Sequence, residues 1–334
     1  MRPVSKVTHA MKWLSTGLLF SAAAVSAKQV EVHDPVMTKE GDTYYVFSTG
    51  PGITYYESKD LTNWKLTGRV FKDEPSWAKR ISPSFDGHLW APDVYEKNGK
   101  FYLYYSVSAF GKNTSAIGVT INETLDPSSP DYKWIDYGIV VESVPERDDW
   151  NAIDPAIIED ENGIPWMSFG SFWGGLKLVK LDDDMVRLAK PEKWHHIASR
   201  PNTEHGPIEA PYIFKKNGYY YLFVSFDKCC RGVESTYNVR VGRSKNIEGP
   251  YLDQQGRSMV DGGGSLVIEG NKDWAALGHN AAYTFDGKDY LVLHAYETAD
   301  NGVQKLRILP MSWKNDWPVV NPADLNKLKT KLTK

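Results

Sequence analysis

Residues 34–49 read DPVMTKEGDTYYVFST. An Asp-Pro pair opens a short apolar run, a charged turn carries Gly41, and a second run from Thr43 is rich in Tyr, Val and Phe. Short alternating runs of β-branched and aromatic residues around a Gly-containing turn predict a β-hairpin. The phrase then returns. It reads APDVYEKNGKFYLYYSVS from Ala91, DPAIIEDENGIPWMSFGS from Asp154, APYIFKKNGYYYLFVSFD from Ala210 and HNAAYTFDGKDYLVLHAY from His279, where Asn280 stands in for the proline. The intervals are about 60 residues, and each hairpin is followed by a further strand-like stretch such as SAIGVTINETL or LKLVKLDDD. Roughly four strands per period with almost no helical periodicity predict an all-β, five-bladed β-propeller, its four-stranded antiparallel blades set around a central channel. A pair of β-sandwiches is the rival architecture. The uniform period, and the lack of a linker between residues 28 and 320, favour one closed ring.

Residues 1–27 have the pattern of a secretory signal. Arg2, Lys6 and Lys12 precede a short apolar segment, Trp13 to Val25, and Val25-Ser26-Ala27 fits a cleavage site. The expected mature chain is therefore a single propeller domain, 28–334, secreted or periplasmic. Losing the three cations and no acid takes the formal charge from -3 to -6. A mildly acidic chain without basic runs is not built for nucleic acid or anionic membranes. It is expected to act as a monomer. Aromatic residues make up 13% of the chain, with 12 Trp and 19 Tyr, enough to line a sugar-binding cleft as well as a core. The only cysteines, Cys229 and Cys230, are adjacent. They cannot staple distant loops, and they read either as a strained local ring or as two free thiols.

In a propeller, the loops entering the innermost strands gather at one mouth of the channel, so the residue that opens each repeat faces a shared funnel. Those residues are Asp34, Ala91, Asp154, Ala210 and His279. Just before them stand Trp90 in the second copy and Glu209 in the fourth. One Asp-Pro alone is an ordinary turn starter. Three acids and a histidine at equivalent positions are a cluster that stability alone does not favour, because buried carboxylates repel. Carboxylates at the floor of an aromatic pocket suggest glycoside hydrolysis, in which one acid donates to the leaving oxygen and another, ionised, activates water or attacks carbon.

The ordered set HDP (33–35), HLWAPDV (88–94), NAIDPAI (151–157), SFGSFWGG (168–175), IEAPYI (208–213) and GHN (278–280) resembles family 43 glycoside hydrolases, most of all their endo-α-1,5-L-arabinanases, over nearly all of the mature chain. The resemblance implies an inverting hydrolase of arabinan or arabino-oligosaccharides. Asp34 would be the general base, Glu209 the general acid and Asp154 the carboxylate that tunes the acid. It further implies a calcium ion near His279, reached largely through water, in a supporting role. Trp90 and Phe110 are expected as platforms for arabinose rings. Asn151, Ser171, Trp173, Tyr237 and Arg231 are the remaining expected contacts of the cleft. Exo-acting arabinanases, arabinofuranosidases and β-xylosidases of the same fold are the alternatives, with a non-catalytic sugar-binding propeller behind them.

Overall fold

The computed structural model describes residues 28–333; the expected leader, 1–27, lies outside the described residues. Five antiparallel sheets follow one another along the chain. Blade 1 is Val36–Glu40, Thr43–Ser48, Thr54–Ser58 and Asn63–Arg69. Blade 2 is His88–Lys97, Lys100–Val107, Ser115–Asn122 and Ile135–Ser143. Blade 3 is Ala156–Glu159, Pro165–Phe169, Leu176–Lys180 and Trp194–Ala198. Blade 4 is Ile208–Lys216, Tyr219–Phe226, Asn238–Ser244 and Ser265–Glu269. Blade 5 is Trp274–Phe285, Lys288–Glu297, Val303–Lys314 and Trp317–Val320. The hairpin turns behave as their sequences predict: Asn98-Gly99 and Asn217-Gly218 both take positive φ at two successive residues, the twist a tight two-residue hairpin requires.

Each sheet is apolar on both faces, so the core is not central. It is divided into layers between neighbouring blades. Phe47 and Leu103 meet between blades 1 and 2, and Tyr104 and Met167 between 2 and 3. Leu178 and Leu222 meet between 3 and 4, Phe223 and Leu293 between 4 and 5, and Val46 and Val292 across the closure between 5 and 1. The strand Lys331–Thr333 adds to the outer edge of blade 1, parallel to Asn63–Arg69, and so ties the chain's end to its first blade. In an ordinary open sheet that edge would be left bare.

One expectation needs correcting. The Pro dipeptide marks the entry to the first strand only in blades 1 and 3. In blades 2, 4 and 5 the strand begins earlier, and Ala91-Pro92, Ala210-Pro211 and His279-Asn280 lie inside it at a β-bulge. The innermost strand is an edge strand, where a residue without an N–H is tolerated at a bulge.

Candidate active site

The repeat position is special in its backbone. Asp34, Ala91, Asp154, Ala210 and His279 all lie in the left-handed region, with φ of 50, 42, 59, 53 and 48°. For a residue with a Cβ this conformation costs about 1–2 kcal/mol, so the five-fold recurrence needs a compensating contact. Each of the five amides supplies one, by donating to a side chain. Ala91 N–H donates to Thr49 Oγ1 (2.7 Å), Asp154 N–H to Ser106 Oγ (3.2 Å), His279 N–H to Ser225 Oγ (2.8 Å) and Asp34 N–H to His294 Nδ1 (3.1 Å). Thr49, Ser106, Ser225 and His294 occupy one register position, at the far end of the second strand of the preceding blade. In blade 3 that position is Gly170, which has no side chain to offer. Ala210 N–H is instead taken by Asp154 Oδ2 at 3.0 Å. With no acceptor at Gly170, the Asp154 carboxylate takes the amide of blade 4, where Glu209 is the residue before Ala210.

The three expected acids are all buried, Asp34 at 7% exposure, Asp154 at 6% and Glu209 at 8%. Their surroundings differ. Asp34 Oδ1 meets His33 Nδ1 at 2.8 Å and His279 Nδ1 at 3.1 Å, while Oδ2 accepts from Thr49 Oγ1 at 2.5 Å. Burial acts to raise Asp34, but the charges of His279 and His33 and the hydrogen bond from His33 outweigh it and hold the carboxyl well below the usual carboxylate range. Glu209 accepts from Ser171 Oγ on Oε2 (2.6 Å) and from the Tyr237 hydroxyl on Oε1. Burial, opposed by the Ser171 bond and helped by the Asp34 charge, pushes Glu209 up to about 7. Burial and the charges of Glu209 and Asp34 push Asp154 well above its ordinary value. The cluster therefore carries one firmly ionised carboxylate and, facing it, a pair that retains a proton near neutral pH.

Ser171 and Tyr237 are expected as sugar contacts, and the structure uses their hydroxyls differently. Both are buried, and both are taken by Glu209. Ser171 forms an isolated bridge with Glu209, and Phe172 N–H donates to Ile208 carbonyl, which presses the SFWGG loop onto blade 4. Tyr237 approaches because residue 278 is glycine: a Cβ there would lie 2.3 Å from the Tyr237 ring. Asn151 is buried too, its Oδ1 accepting from Ser115 Oγ at 2.6 Å, so it braces blade 2 against blade 3. Trp173 is 42% exposed and Phe110 81% exposed. Both stand on loops after second strands, hence at the same mouth as the acids. Trp90 is half-buried in the register position that Glu209 holds in blade 4. Arg231 is exposed on the loop that carries the cysteines.

Sequence reading assigned no role to His33, His294 or Thr49. His33 was in plain sight in the position of Trp90 and Glu209. The other two become visible only when the repeat alignment is carried on to the end of the second strand. His279 is where it was expected, but its Nδ1 faces Asp34. Calcium takes six to eight oxygen ligands, whereas Asp34 is the one carboxylate His279 pairs with among the described residues, amid imidazoles. As direct ligands, that donor set does not fit calcium. Cys229 and Cys230 are joined, with Cα atoms 3.8 Å apart, which decides between the two readings of the pair.

The family described as "Glycosyl hydrolases family 43" matches residues 27–318. The chain is 62% identical to an extracellular exo-α-(1→5)-L-arabinofuranosidase of Cellvibrio japonicus (strain Ueda107), over 97% of this chain and 96% of that one. It is 43% identical to an extracellular endo-α-(1→5)-L-arabinanase of Bacillus subtilis (strain 168), over 91% and 94%. A solved structure of a Cellvibrio cellulosa α-L-arabinanase complexed with arabinohexaose superposes with a TM-score of 0.90 at 62% identity, covering 92% of this chain and all of that one.

Proposed function

The chain belongs to the family 43 glycosyl hydrolases, and from that premise we propose that it hydrolyses α-1,5-L-arabinofuranosidic bonds of arabinan with inversion. The observation that carries the reading is the electrostatic split at the mouth. A buried carboxylate held ionised by histidines, Asp34, faces a buried carboxyl that keeps its proton to about pH 7, Glu209. An inverting hydrolase needs that pair of states. Glu209 donates its proton to the oxygen of the departing sugar. Asp34 takes a proton from the water that attacks the opposite face of the ring, and its bonds from His33 and Thr49 fix the carboxylate plane for that task. Asp154, which accepts the Ala210 amide beside Glu209, tunes and orients the acid. Trp90, Phe110 and Trp173 line the approach for arabinose rings.

Release from a chain end is the mode supported by the 62% relative, and internal cleavage is the mode supported by the 43% relative. Digestion of linear debranched arabinan, followed over time by chromatography, tests both. One product size from the first minute supports exo action, and a ladder of oligomers supports endo action. Release from an aryl xyloside without release from arabinan would overturn the substrate. Export is part of the same reading, supported by the leader-like residues 1–27 and by the extracellular location in both relatives' names. The enzyme is proposed to act as a monomer.

A further inference from the structure

A chain of polar groups, buried at Tyr296 and His294, connects the cysteine pair at the rim to Asp34, and the mechanism above uses only its last contact. It runs through Tyr296, which is fully buried in blade 5. The Tyr296 hydroxyl accepts the Cys230 backbone N–H at 2.8 Å. It lies 3.3 Å from His294 Nε2 and 3.4 Å from His33 Nε2. The two imidazoles are stacked, with centroids 4.3 Å apart. Each reaches Asp34 through its other nitrogen: His294 Nδ1 accepts the Asp34 amide at 3.1 Å, and His33 Nδ1 meets Asp34 Oδ1 at 2.8 Å.

Proton inventory gives this chain a direction. Because His294 Nδ1 accepts a backbone N–H, the proton of the neutral ring is on Nε2, facing Tyr296. The phenol oxygen then receives two N–H groups, from His294 and from Cys230, and lies beside His33 Nε2. His33 aims Nδ1 at Asp34 Oδ1 and turns Nε2 to the Tyr296 hydroxyl. Tyr296 thus braces both rings from the side away from Asp34. The cysteine pair bears on it from the rim. Cys230 supplies the backbone donor, its Sγ lies 3.6 Å from His33 Nε2, and Cys229 packs against the cluster of Tyr237, Ala276 and Tyr296.

We infer that Tyr296 is a positioning residue for Asp34, and that the Cys229–Cys230 disulfide holds Tyr296 and His33 in register. The inference rests on Asp34 being the general base. Misorientation of a base lowers turnover without weakening sugar contacts made elsewhere, so the effect belongs to kcat.

The test is steady-state kinetics on linear arabinan with Tyr296→Phe, which keeps the ring and removes the hydroxyl. Wild type and variant are each assayed before and after reduction by a water-soluble phosphine. That reduction puts two electrons and two protons on the sulfurs and turns the phosphine into its oxide. Tyr296→Phe should lower kcat about tenfold with KM within about twofold. Reduction should lower the wild-type kcat several-fold and leave Tyr296→Phe unchanged, because the link it breaks is already gone. An unchanged kcat in Tyr296→Phe would overturn the inference, as would a reduction effect of equal size in both proteins. A Cys229→Ala/Cys230→Ala double variant keeps the question open to refutation if Tyr296→Phe does not fold; it should match the reduced wild type, and full activity in it refutes the coupling. Asp34→Ala, run alongside, separates the two readings. If it stays active, the base assignment fails, whereas a dead Asp34→Ala beside a fully active Tyr296→Phe sinks only the positioning role.

Discussion

The junction of blades 5 and 1 and the junction of blades 3 and 4 are built on the same backbone plan and reach opposite electrostatics. At the first, Asp34 opens the repeat of the later blade, and at the second, Asp154 opens that of the earlier blade, both in a left-handed conformation. At the 5/1 junction, the position before Asp34 is His33, the end of the neighbouring second strand is His294, and the repeat residue of blade 5 is His279. Asp34 is surrounded by imidazoles and stays ionised. At the 3/4 junction, Glu209 fills the position of His33, Gly170 that of His294 and Asp154 that of His279, with Ala210 where Asp34 would stand, and Asp154 and Glu209 both rise. Burial is nearly the same in the two places. The difference comes from which side chains fill the aligned register positions, so the acid and the base are selected by neighbours rather than by depth.

The largest test of the comparison removes one carboxylate from each junction. Asp34→Ala and Glu209→Ala should each lower kcat by roughly three orders of magnitude, the scale of a lost general base or acid, with the thermal midpoint little changed. Near-normal turnover in either variant breaks the assignment of roles. Next in size is Gly278→Ala. The added methyl would overlap the buried Tyr237 ring, which must withdraw its hydroxyl from Glu209. A fall in kcat of about tenfold is expected, concentrated on the acid side of the mechanism. If Tyr237→Phe proves neutral while Gly278→Ala does not, the glycine serves packing and not the acid.

A third experiment addresses the 5/1 junction alone. His279→Gln removes the charge that most strongly lowers Asp34. With that partner gone the Asp34 pKa rises toward the ordinary range. Because the base must be ionised, activity should then be lost at low pH where the wild type still works. The acid limb of the pH–rate profile should move upward by about one unit. An acid limb that stays in place would mean that His33 and Thr49 hold Asp34 unaided.

Much of this was legible in the chain. The hairpin phrase returns with its turn chemistry intact, so five blades and the alignment of Asp34, Asp154, Glu209 and His279 follow from reading it. What the phrase could not convey is what crosses between blades. Thr49 and His294 look like ordinary ends of strands, and their importance arises only where one blade's second strand meets the next blade's amide. Ser171 and Tyr237 were read as sugar contacts because hydroxyls near a cleft suit that use. Their burial, and the space left by Gly278, assign them to Glu209. The Pro positions misled about strand entry for a related reason: a bulge is defined by its partner strand, which local sequence does not specify.

The smallest effects expected are also the ones that separate the two junctions most sharply, because they differ in sign. Glu209 must be protonated to act, so the alkaline limb of the profile reports its pKa, about 7 in this site. The Ser171 hydroxyl stabilises the carboxylate form and so lowers that pKa. Ser171→Ala should therefore shift the alkaline limb to higher pH, by roughly half a unit to one unit. Asp154 and Glu209 repel one another when both are ionised, which raises Asp154, and by reciprocity the same repulsion acts the other way on Glu209. Asp154→Asn removes that repulsion, lowers the Glu209 pKa and should bring the limb to lower pH by a similar amount. Neither change should move the acid limb, which belongs to Asp34 and its histidines across the channel. Shifts of the same sign in the two variants would mean that the limb reports something other than Glu209. A limb that Asp154→Asn leaves in place would mean that Asp154 orients the acid without setting its proton affinity.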